Sequence, residues 1–198
     1  MAQWDALQES LNKHGIGCTV FANRQAAVDY LDGAIDGATV GFGGSVTLQE
    51  LGLFEKLQAH NQVIWHWKDP SGTVAEATAA PVYLSSLNGV AETGELINID
   101  GSGNRVSATS FGPKRIYYIV GRNKVAPNLE QALWRARNIA APKNAQRLGV
   151  KTPCAAKGDK CYDCNSPQRI CRELLVTWRK PTTVETMEVV LIDEDLGY

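Results

Sequence analysis

The sequence has no apolar run long enough for a membrane-spanning helix, and its first residues, MAQWDALQES, carry acid rather than base and no apolar export segment. These absences argue against a membrane protein and against an exported one. Internal repeats and low-complexity tracts are also absent. What remains is a chain of 198 residues, 44% hydrophobic and 21% charged, which is typical of a globular domain with a proper core. We expect a cytoplasmic protein.

Acidic residues are scarce in one part of the chain. Residues 101–180 hold 16 of the 20 Lys and Arg residues but only four acids, whereas residues 1–100 hold four bases and twelve acids. Such a basic region is typical of a protein with an anionic partner, either a small ligand or a nucleic acid. Nucleic acid is the weaker candidate, because the basic residues are scattered over predicted helix, strand and loop. The alternative is that basic and acidic parts neutralise each other within the fold or across a homo-oligomer.

Strand-like and helix-like segments alternate along the chain. Short apolar runs such as ATVGF and RIYYIVG predict buried strands, and amphipathic segments such as NLEQALWRARNIAAP predict helices. This order is typical of an α/β fold with a mainly parallel sheet, in which ligands lie at the carboxyl ends of strands. Two further strands, ELLVTW and MEVVLI, are predicted near the end of the chain. We expect one domain over residues 1–198.

A glycine-rich loop follows one of the predicted strands. The stretch VGFGGSVTLQE, residues 40–50, places glycines just before Ser45 and the start of a helix. Glycine lets the backbone approach a ligand closely, and the free N–H groups of a helix N-terminus suit phosphate or carboxylate, so we predict an anion site over residues 43–47. The loop lacks the third glycine of a dinucleotide-binding motif and the lysine of a P-loop, which excludes both. The alternative is a tight turn in which Ser45 or Thr47 only caps the helix.

Three turn dipeptides lie close together in SSLNGVAETGELINIDGSGNRVSA, residues 85–108. Turns around short strands would bring the polar side chains of this segment to one edge of the sheet, facing the glycine loop. These side chains are Asn88, Glu92, Asp100, Asn104 and Arg105. Carboxylates, amides and a guanidinium together suit acid–base chemistry or the binding of a carboxylate. The alternative for each residue is an Asx-turn that satisfies its own backbone.

Four of the five cysteines fall in CAAKGDKCYDCNSPQRIC, residues 154–171, with the spacing C-x6-C-x2-C-x6-C. Residues 150–171 show no apolar periodicity, and a long loop without secondary structure needs something to hold it. Cys154, Cys161, Cys164 and Cys171 would hold it if their sulfurs converged on zinc or an iron–sulfur cluster, because the central pair has the spacing of a metal knuckle. Reduced thiols, or a reversible disulfide between Cys161 and Cys164, are the alternative.

Several segments, in order, resemble the LUD-domain family. They are GGSVTLQELGLFE, YLSSLNGVAETGELINIDGSGNRV, FGPKRIYYIVGRNKV, RNIAAPKNAQRLGVKTPCA, CYDCNSPQRIC and IDEDLGY, and they run from Gly43 to Tyr198. The resemblance extends to the lactate-utilisation protein C, or YkgG, group of that family. It implies the sugar-isomerase and CoA-transferase-like superfamily, with a three-layer α/β/α sandwich around a mainly parallel sheet. It also implies a link to the oxidation of L-lactate to pyruvate, with iron–sulfur partner subunits.

The resemblance also implies site residues. Relatives in that superfamily hold anionic substrates at a glycine loop, which falls here on Gly43, Gly44, Ser45, Val46 and Thr47. CoA transferases among them place a nucleophilic glutamate just before an Asn-Gly pair, but this chain has Ser86-Leu87 there, so covalent CoA transfer is not expected. Glu92 and Asp100 remain candidate acid–base groups, and Arg105 is a candidate clamp for a substrate carboxylate.

Three further residues are candidates for holding a ligand, namely Asn88, Asn104 and Arg137. Arg137 lies four residues after Leu133 on the helical face that also carries Leu129, Ala136 and Ala140. It therefore points either into the cleft or, on its long stem, to solvent.

Three classes of function are consistent with these features. The first is a ligand-binding or catalytic subunit of lactate oxidation that holds a small anionic metabolite at the glycine loop. The second is an assembly or electron-handling protein that works through its cysteine segment. The third, a regulatory or nucleic-acid-binding module, is the weakest for want of a docking motif.

Overall fold

A computed structural model describes residues 3–198 of the chain, so residues 1 and 2 of the expected domain lie outside the described part. The helices are α1 (Asp5–Lys13), α2 (Arg24–Ala34), α3 (Val46–Glu50), α4 (Leu53–Leu57), α5 (Val74–Ala79), α6 (Asn104–Ser110), α7 (Leu129–Arg135), α8 (Ala141–Arg147) and α9 (Pro153–Lys157). A 3-10 turn covers Arg122–Lys124, and a π-helical turn, Ala136–Ala140, joins α7 to α8. In this described part, no helix is long and apolar enough to cross a membrane.

Within residues 3–198, ten strands form two sheets. The strands are β1 (Gly17–Phe21), β2 (Thr39–Phe42), β3 (Gln62–Ile64), β4 (Val82–Ser85), β5 (Gly89–Ala91), β6 (Leu96–Asp100), β7 (Arg115–Gly121), β8 (Val125–Ala126), β9 (Glu173–Thr177) and β10 (Thr186–Ile192). The central sheet has six strands in the order β1-β10-β7-β4-β2-β3, and every pairing in it is parallel. The second sheet, β8-β5-β6-β9, is mixed. The predicted α/β sandwich around a mainly parallel sheet is confirmed.

The central sheet is buried on both faces, which is why its strands read as continuous apolar runs. Along β7, Ile116 and Tyr118 join the core that α1 covers, while Tyr117 and Ile119 join the core under α2, α3 and α4. Successive side chains of a strand point to opposite faces, so one apolar strand supplies both cores. Helices therefore lie on both sides of the sheet, and the fold has three layers.

The two predicted C-terminal strands take different places. β10 inserts between β1 and β7 in the centre of the first sheet, whereas β9 forms an edge of the second sheet beside β6. The cysteine segment between α8 and β9 contains the short helix α9, which apolar periodicity did not predict because it buries no residue.

Helix α5 packs directly on β2 at Gly41, and a methyl group there would lie 1.9 Å from the carbonyl oxygen of Ala77. Because the atoms that this methyl group would meet belong to the backbone of α5, no side-chain rotation can relieve the clash. We expect Gly41→Ala to lower the free energy of unfolding by ~3 kcal/mol, as overpacked core sites do. Gly33→Ala in α2 is the control: its methyl would meet nothing within 4 Å, and we expect a gain of about 0.5–1 kcal/mol. Urea unfolding that gave equal values would contradict this packing.

Candidate functional site

A cavity of about 260 Å³ lies at the carboxyl ends of the central strands. Its lining comes from the loop after β2, the connection from β4 to β5, the end of β6 with the start of α6, the 3-10 turn after β7, and α8. The chain crosses from the central sheet to the second sheet twice here, once between β4 and β5 and once between β7 and β8. The two crossings lie side by side and bring Ser86 and Lys124 into contact.

Lys124 is the most unusual residue of the cavity. It is only 3% exposed, and its Nζ donates to Thr47 Oγ1 at 2.8 Å and to Ser86 Oγ at 2.9 Å. Within residues 3–198 no carboxylate forms an ion pair with it. Burial is the main reason why its pKa falls to about 7, and Arg135 and Arg105 lower it further while Glu50 opposes them. A desolvated amine that is half protonated near neutral pH thus lines the cavity.

The glycine loop supplies backbone donors beside this amine. The N–H of Gly43 is already bonded to the carbonyl of Leu84 at 2.9 Å, and Ser45 caps α3 by accepting from the N–H of Leu48 at 3.3 Å. In the part of the chain that the structure describes, the backbone N–H groups of residues 44–47 donate to no protein acceptor, and these residues line the cavity. Four free donors therefore accompany the Lys124 amine.

Packing against the protein leaves little room for a side chain at Gly43 and Gly44. A methyl group on Gly43 would lie 2.8 Å from Tyr83 Oη, and one on Gly44 would lie 2.8 Å from the ring of Trp67. Both distances are shorter than ordinary contacts, so neither position accepts a larger residue. The sequence located the loop, and the packing adds a second physical reason for its glycines.

Asp100 serves as an anchor for the backbone. Its Oδ1 accepts the N–H of Gly101 at 2.7 Å and its Oδ2 accepts the N–H of Arg105 at 2.8 Å, with Ser102 and Val106 donating at 3.3 Å. Burial would raise the pKa of this carboxyl, but Arg105 and the backbone donors together hold the pKa below its ordinary value. An ionised carboxylate with its oxygens occupied fixes the start of α6. This geometry matches the Asx-turn alternative more closely than an acid–base role.

Arg105 lines the cavity with a guanidinium that is only partly engaged. It donates from Nη1 to Asn98 Oδ1 at 2.9 Å and from Nη2 to the carbonyl of Ile99, and its Nε lies 3.7 Å from Asp100 Oδ2. A guanidinium has five N–H groups, so donors remain for a ligand. The expected clamp for a carboxylate is therefore geometrically available.

The mouth of the cavity carries Arg147 stacked on an aromatic ring. The Arg147 guanidinium lies 4.9 Å from the centroid of the Trp67 ring, and its Nε donates to Asn144 Oδ1 at 3.0 Å. Trp67 in turn stacks on the buried Trp65, with ring centroids 5.7 Å apart. This stack holds a second guanidinium at the cavity, and no acid among residues 3–198 forms an ion pair with it.

The structure brings together most, but not all, of the residues that the sequence nominated for a site. Those that line the cavity are Gly44, Ser45, Val46, Thr47, Asn88, Asp100, Asn104, Arg105 and Cys171. Those that do not are Gly43, Glu92, Arg137, Cys154, Cys161 and Cys164. Glu92 lies exposed in the turn after β5, where its N–H donates to the carbonyl of Ala126 at 2.8 Å.

Arg137 points to the cysteine segment instead of the cleft. Its Nη2 donates to Asp163 Oδ1 at 3.0 Å and to Cys161 Sγ at 3.6 Å. The buried arginine of this helix is Arg135, which donates to the carbonyls of Asn123 and Asn88, both at 2.7 Å. The π-helical turn after Arg135 breaks the 3.6-residue period, so the helical face drawn through Leu133 and Arg137 does not continue.

The cysteines do not form a ligand set in this structure. Within residues 3–198, no three His, Cys, Asp or Glu side chains are placed to hold one metal ion, and all five cysteines are free thiols. The arrangement therefore does not fit the zinc or iron–sulfur site for which the four sulfurs were expected to converge.

Arginine side chains hold the cysteine segment in place. Arg169 donates to the carbonyls of Cys171 at 2.8 Å and Cys164 at 2.9 Å, and Arg172 donates to the carbonyl of Pro167 at 2.6 Å. Asp163 links the cysteine segment to the π-helical turn after α7, because its carboxylate forms ion pairs with Arg169 of the segment and with Arg137 of that turn. Charge-assisted hydrogen bonds to backbone carbonyls thus hold the cysteine segment in place, which was the role expected of a metal.

Sequence reasoning missed several residues that line the cavity, among them Lys124, Arg147, Ser86, His66 and Trp67. A usable signal did exist for two of them. Ser86 follows directly on β4 and Lys124 ends the 3-10 turn after β7, both at the carboxyl ends of central strands, where ligands are expected.

Comparison with known proteins agrees with this architecture. The model of the LUD domain matches residues 5–192, nearly the whole chain. The chain belongs to the LUD domain family. That membership supports a role related to lactate utilisation. The crystal structure of a DUF162 family protein from Deinococcus radiodurans is similar to this LUD domain, with a TM-score of 0.57 over 94% of each chain. At 13% identity this similarity shows a shared fold alone. No curated protein matches the chain in sequence.

Proposed function

We propose that this LUD-domain protein binds a small carboxylate metabolite of lactate utilisation in the cavity beside the glycine loop. The observation that carries the proposal is the buried Lys124 amine, which lines the cavity and has no ion pair within residues 3–198. A buried cation without a counter-charge is costly, and an anionic ligand would offset that cost.

The other charges around the cavity support an anionic ligand. Arg105 and Arg147 also line the cavity. The carboxylate of Asp100 lines it too, but this carboxylate already accepts hydrogen bonds from backbone N–H groups. The backbone N–H groups of residues 44–47, which also line the cavity, donate to no protein acceptor within residues 3–198 and add further donors. The volume of about 260 Å³ is below the ~300–1,000 Å³ of sites for drug-sized ligands, which favours a metabolite of a few carbons.

Membership of the LUD domain family supports a wider role for the proposed binding. From the LUD membership and the YkgG-like segments, we infer that the protein acts as a subunit or accessory protein of L-lactate oxidation to pyruvate, beside iron–sulfur partner subunits. The segments that resemble the YkgG group include the loops that line the cavity, which supports the link between ligand and pathway.

Isothermal titration calorimetry with L-lactate and with oxalate tests the proposed site. An anion bound near Lys124 favours the charged amine, so the pKa of about 7 rises on binding and a proton is taken up. Affinity should therefore fall as pH rises from 7 to 9, by up to about tenfold per pH unit. Both ligands stay ionised over this range, so their own titration does not contribute.

The matched variants are Lys124→Met and Lys143→Met, the latter at an exposed position of α8 outside the cavity. We expect the first to lose binding and the second to retain it. Binding of neither anion by the wild-type protein, or equal binding by both variants, would overturn the proposal.

A further inference from the structure

The surroundings of Lys124 differ from those of an amine that only anchors an anion. Such an anchor gains from a nearby carboxylate that keeps it protonated, yet within residues 3–198 no carboxylate pairs with Lys124. The charged groups that act on it are Arg135 of α7 and Arg105 of α6, with Glu50 at the end of α3 opposing them. Desolvation beside other cations is how proteins prepare a lysine to act as a nucleophile.

We propose that Lys124 forms a Schiff base with the carbonyl carbon of a 2-oxo carboxylate bound in this cavity, a proposal that rests on the proposed function and names its substrate class. The neutral amine attacks the carbonyl carbon and forms a C–N bond, and its proton passes to the carbonyl oxygen. The carbinolamine then loses that oxygen as water and leaves a C=N bond. Amine and ketone give imine and water, so no oxidant or reductant is needed.

Two hydroxyl groups are placed to move the protons of this step. Thr47 Oγ1 and Ser86 Oγ lie 2.8 and 2.9 Å from the amine nitrogen, and both residues line the cavity. A hydroxyl can accept a proton from the attacking nitrogen and donate one to the departing oxygen. Arg105 and Arg147 line the same cavity and would bind the carboxylate of the 2-oxo acid.

The chemistry separates 2-oxo acids from 2-hydroxy acids. L-Lactate has the carboxylate that the cavity recognises but no carbonyl, so it binds without reacting. The two processes also depend oppositely on pH: binding of an anion favours the protonated amine, whereas attack requires the neutral amine. Besides the three groups that act on Lys124, the titratable side chains in the cavity lining are Asp100, Arg147, His66, Cys171 and Tyr198. Asp100 stays ionised near neutral pH, because Arg105 and the backbone donors hold the pKa of its carboxyl below the ordinary value.

Reductive trapping tests the proposal. The full-length protein is incubated with pyruvate and sodium cyanoborohydride at pH 6, 7 and 8, and peptides are analysed by mass spectrometry. We expect one reduced adduct, on Lys124, with a yield that rises with pH while the affinity for L-lactate falls. Lys124→Arg should give no adduct, and Lys143→Arg should react like the wild type. Ser86→Ala should slow trapping on the order of 100-fold with pyruvate binding retained.

Each outcome is decisive. Calorimetric binding of pyruvate without an adduct on Lys124 would end the Schiff-base proposal and leave the proposed function intact. Adducts spread over exposed lysines, and unchanged in Lys124→Arg, would also end it. Absence of binding for pyruvate, L-lactate and oxalate alike would overturn both proposals together.

Discussion

Lys124→Met is expected to abolish carboxylate binding and, at the same time, to stabilise the protein. Methionine is unbranched and of similar length, so it fills the space of the lysine stem without bringing a charge. Loss of a buried charged contact typically costs 2–5 kcal/mol of binding, or about 30-fold or more in affinity. Replacing a buried ionic group with an apolar one of similar volume typically raises stability by about 1–4 kcal/mol.

The stability gain of Lys124→Met should depend on pH. The folded-state pKa of about 7 is below the ordinary 10.5, so the unfolded chain binds more protons between these values. The wild type therefore gains stability as pH rises from 7 towards 10.5, and the advantage of methionine is largest below pH 7. Urea unfolding of both proteins at pH 6 and pH 9 measures this. A variant that is less stable at both pH values, or that still binds oxalate, would contradict the account of Lys124.

Asp100→Ala is expected to destabilise the fold by about 3–5 kcal/mol, because it leaves Arg105 without its carboxylate and several backbone N–H groups without an acceptor. The N–H groups of Gly101 and Arg105 bond to this carboxylate at 2.7 and 2.8 Å. Asp100→Asn should cost less, since one oxygen acceptor remains. Urea unfolding at pH 7 gives the free energies, with the exposed Asp29→Ala as a control expected within about 0.5 kcal/mol of wild type.

The same carboxylate gives a pH dependence of the opposite sign to that of Lys124. The pKa of Asp100 lies below its ordinary 3.8, so its contribution is present above that value and is lost as pH falls through the folded pKa. Wild-type stability should fall towards acid by more than that of Asp100→Asn. If the two proteins lost stability in parallel below pH 4, Asp100 would not be the anchor described above.

The fold could be predicted from the sequence because its signals are local. Strands such as β7 are apolar at every position, and the helices between them have caps, such as Asn23 of α2, whose side chain accepts from the N–H of Ala26 at 3.0 Å. The carboxyl-end rule then located the glycine loop at the right edge of the sheet. These inferences need no knowledge of which distant residues touch.

The features of the site that the sequence did not predict depend on contacts between residues far apart in the chain. In the sequence, Lys124 looks like an ordinary basic residue within GRNKV. It becomes buried because the two segments that cross between the sheets meet at Ser86 and Lys124, which are 38 residues apart in the chain. The sequence identifies the turn that carries Glu92. The position of this turn outside the cavity lining depends on the pairing of β5 with β8, which the sequence does not show. The cysteine spacing indicated a metal, because the arginines that hold that segment have no sequence pattern of their own.

The most direct test of the central claim is the pKa of Lys124 itself, measured by NMR on protein labelled with ¹³C at the lysine ε-carbon, with Lys124→Arg to assign the signal. Without ligand, we expect Lys124 to titrate with a pKa of about 7, far below the ordinary 10.5. With saturating L-lactate or oxalate, we expect a higher pKa, because the bound carboxylate favours the charged amine. An unperturbed pKa that neither anion changes would show that Lys124 is solvated and that the cavity does not hold a carboxylate.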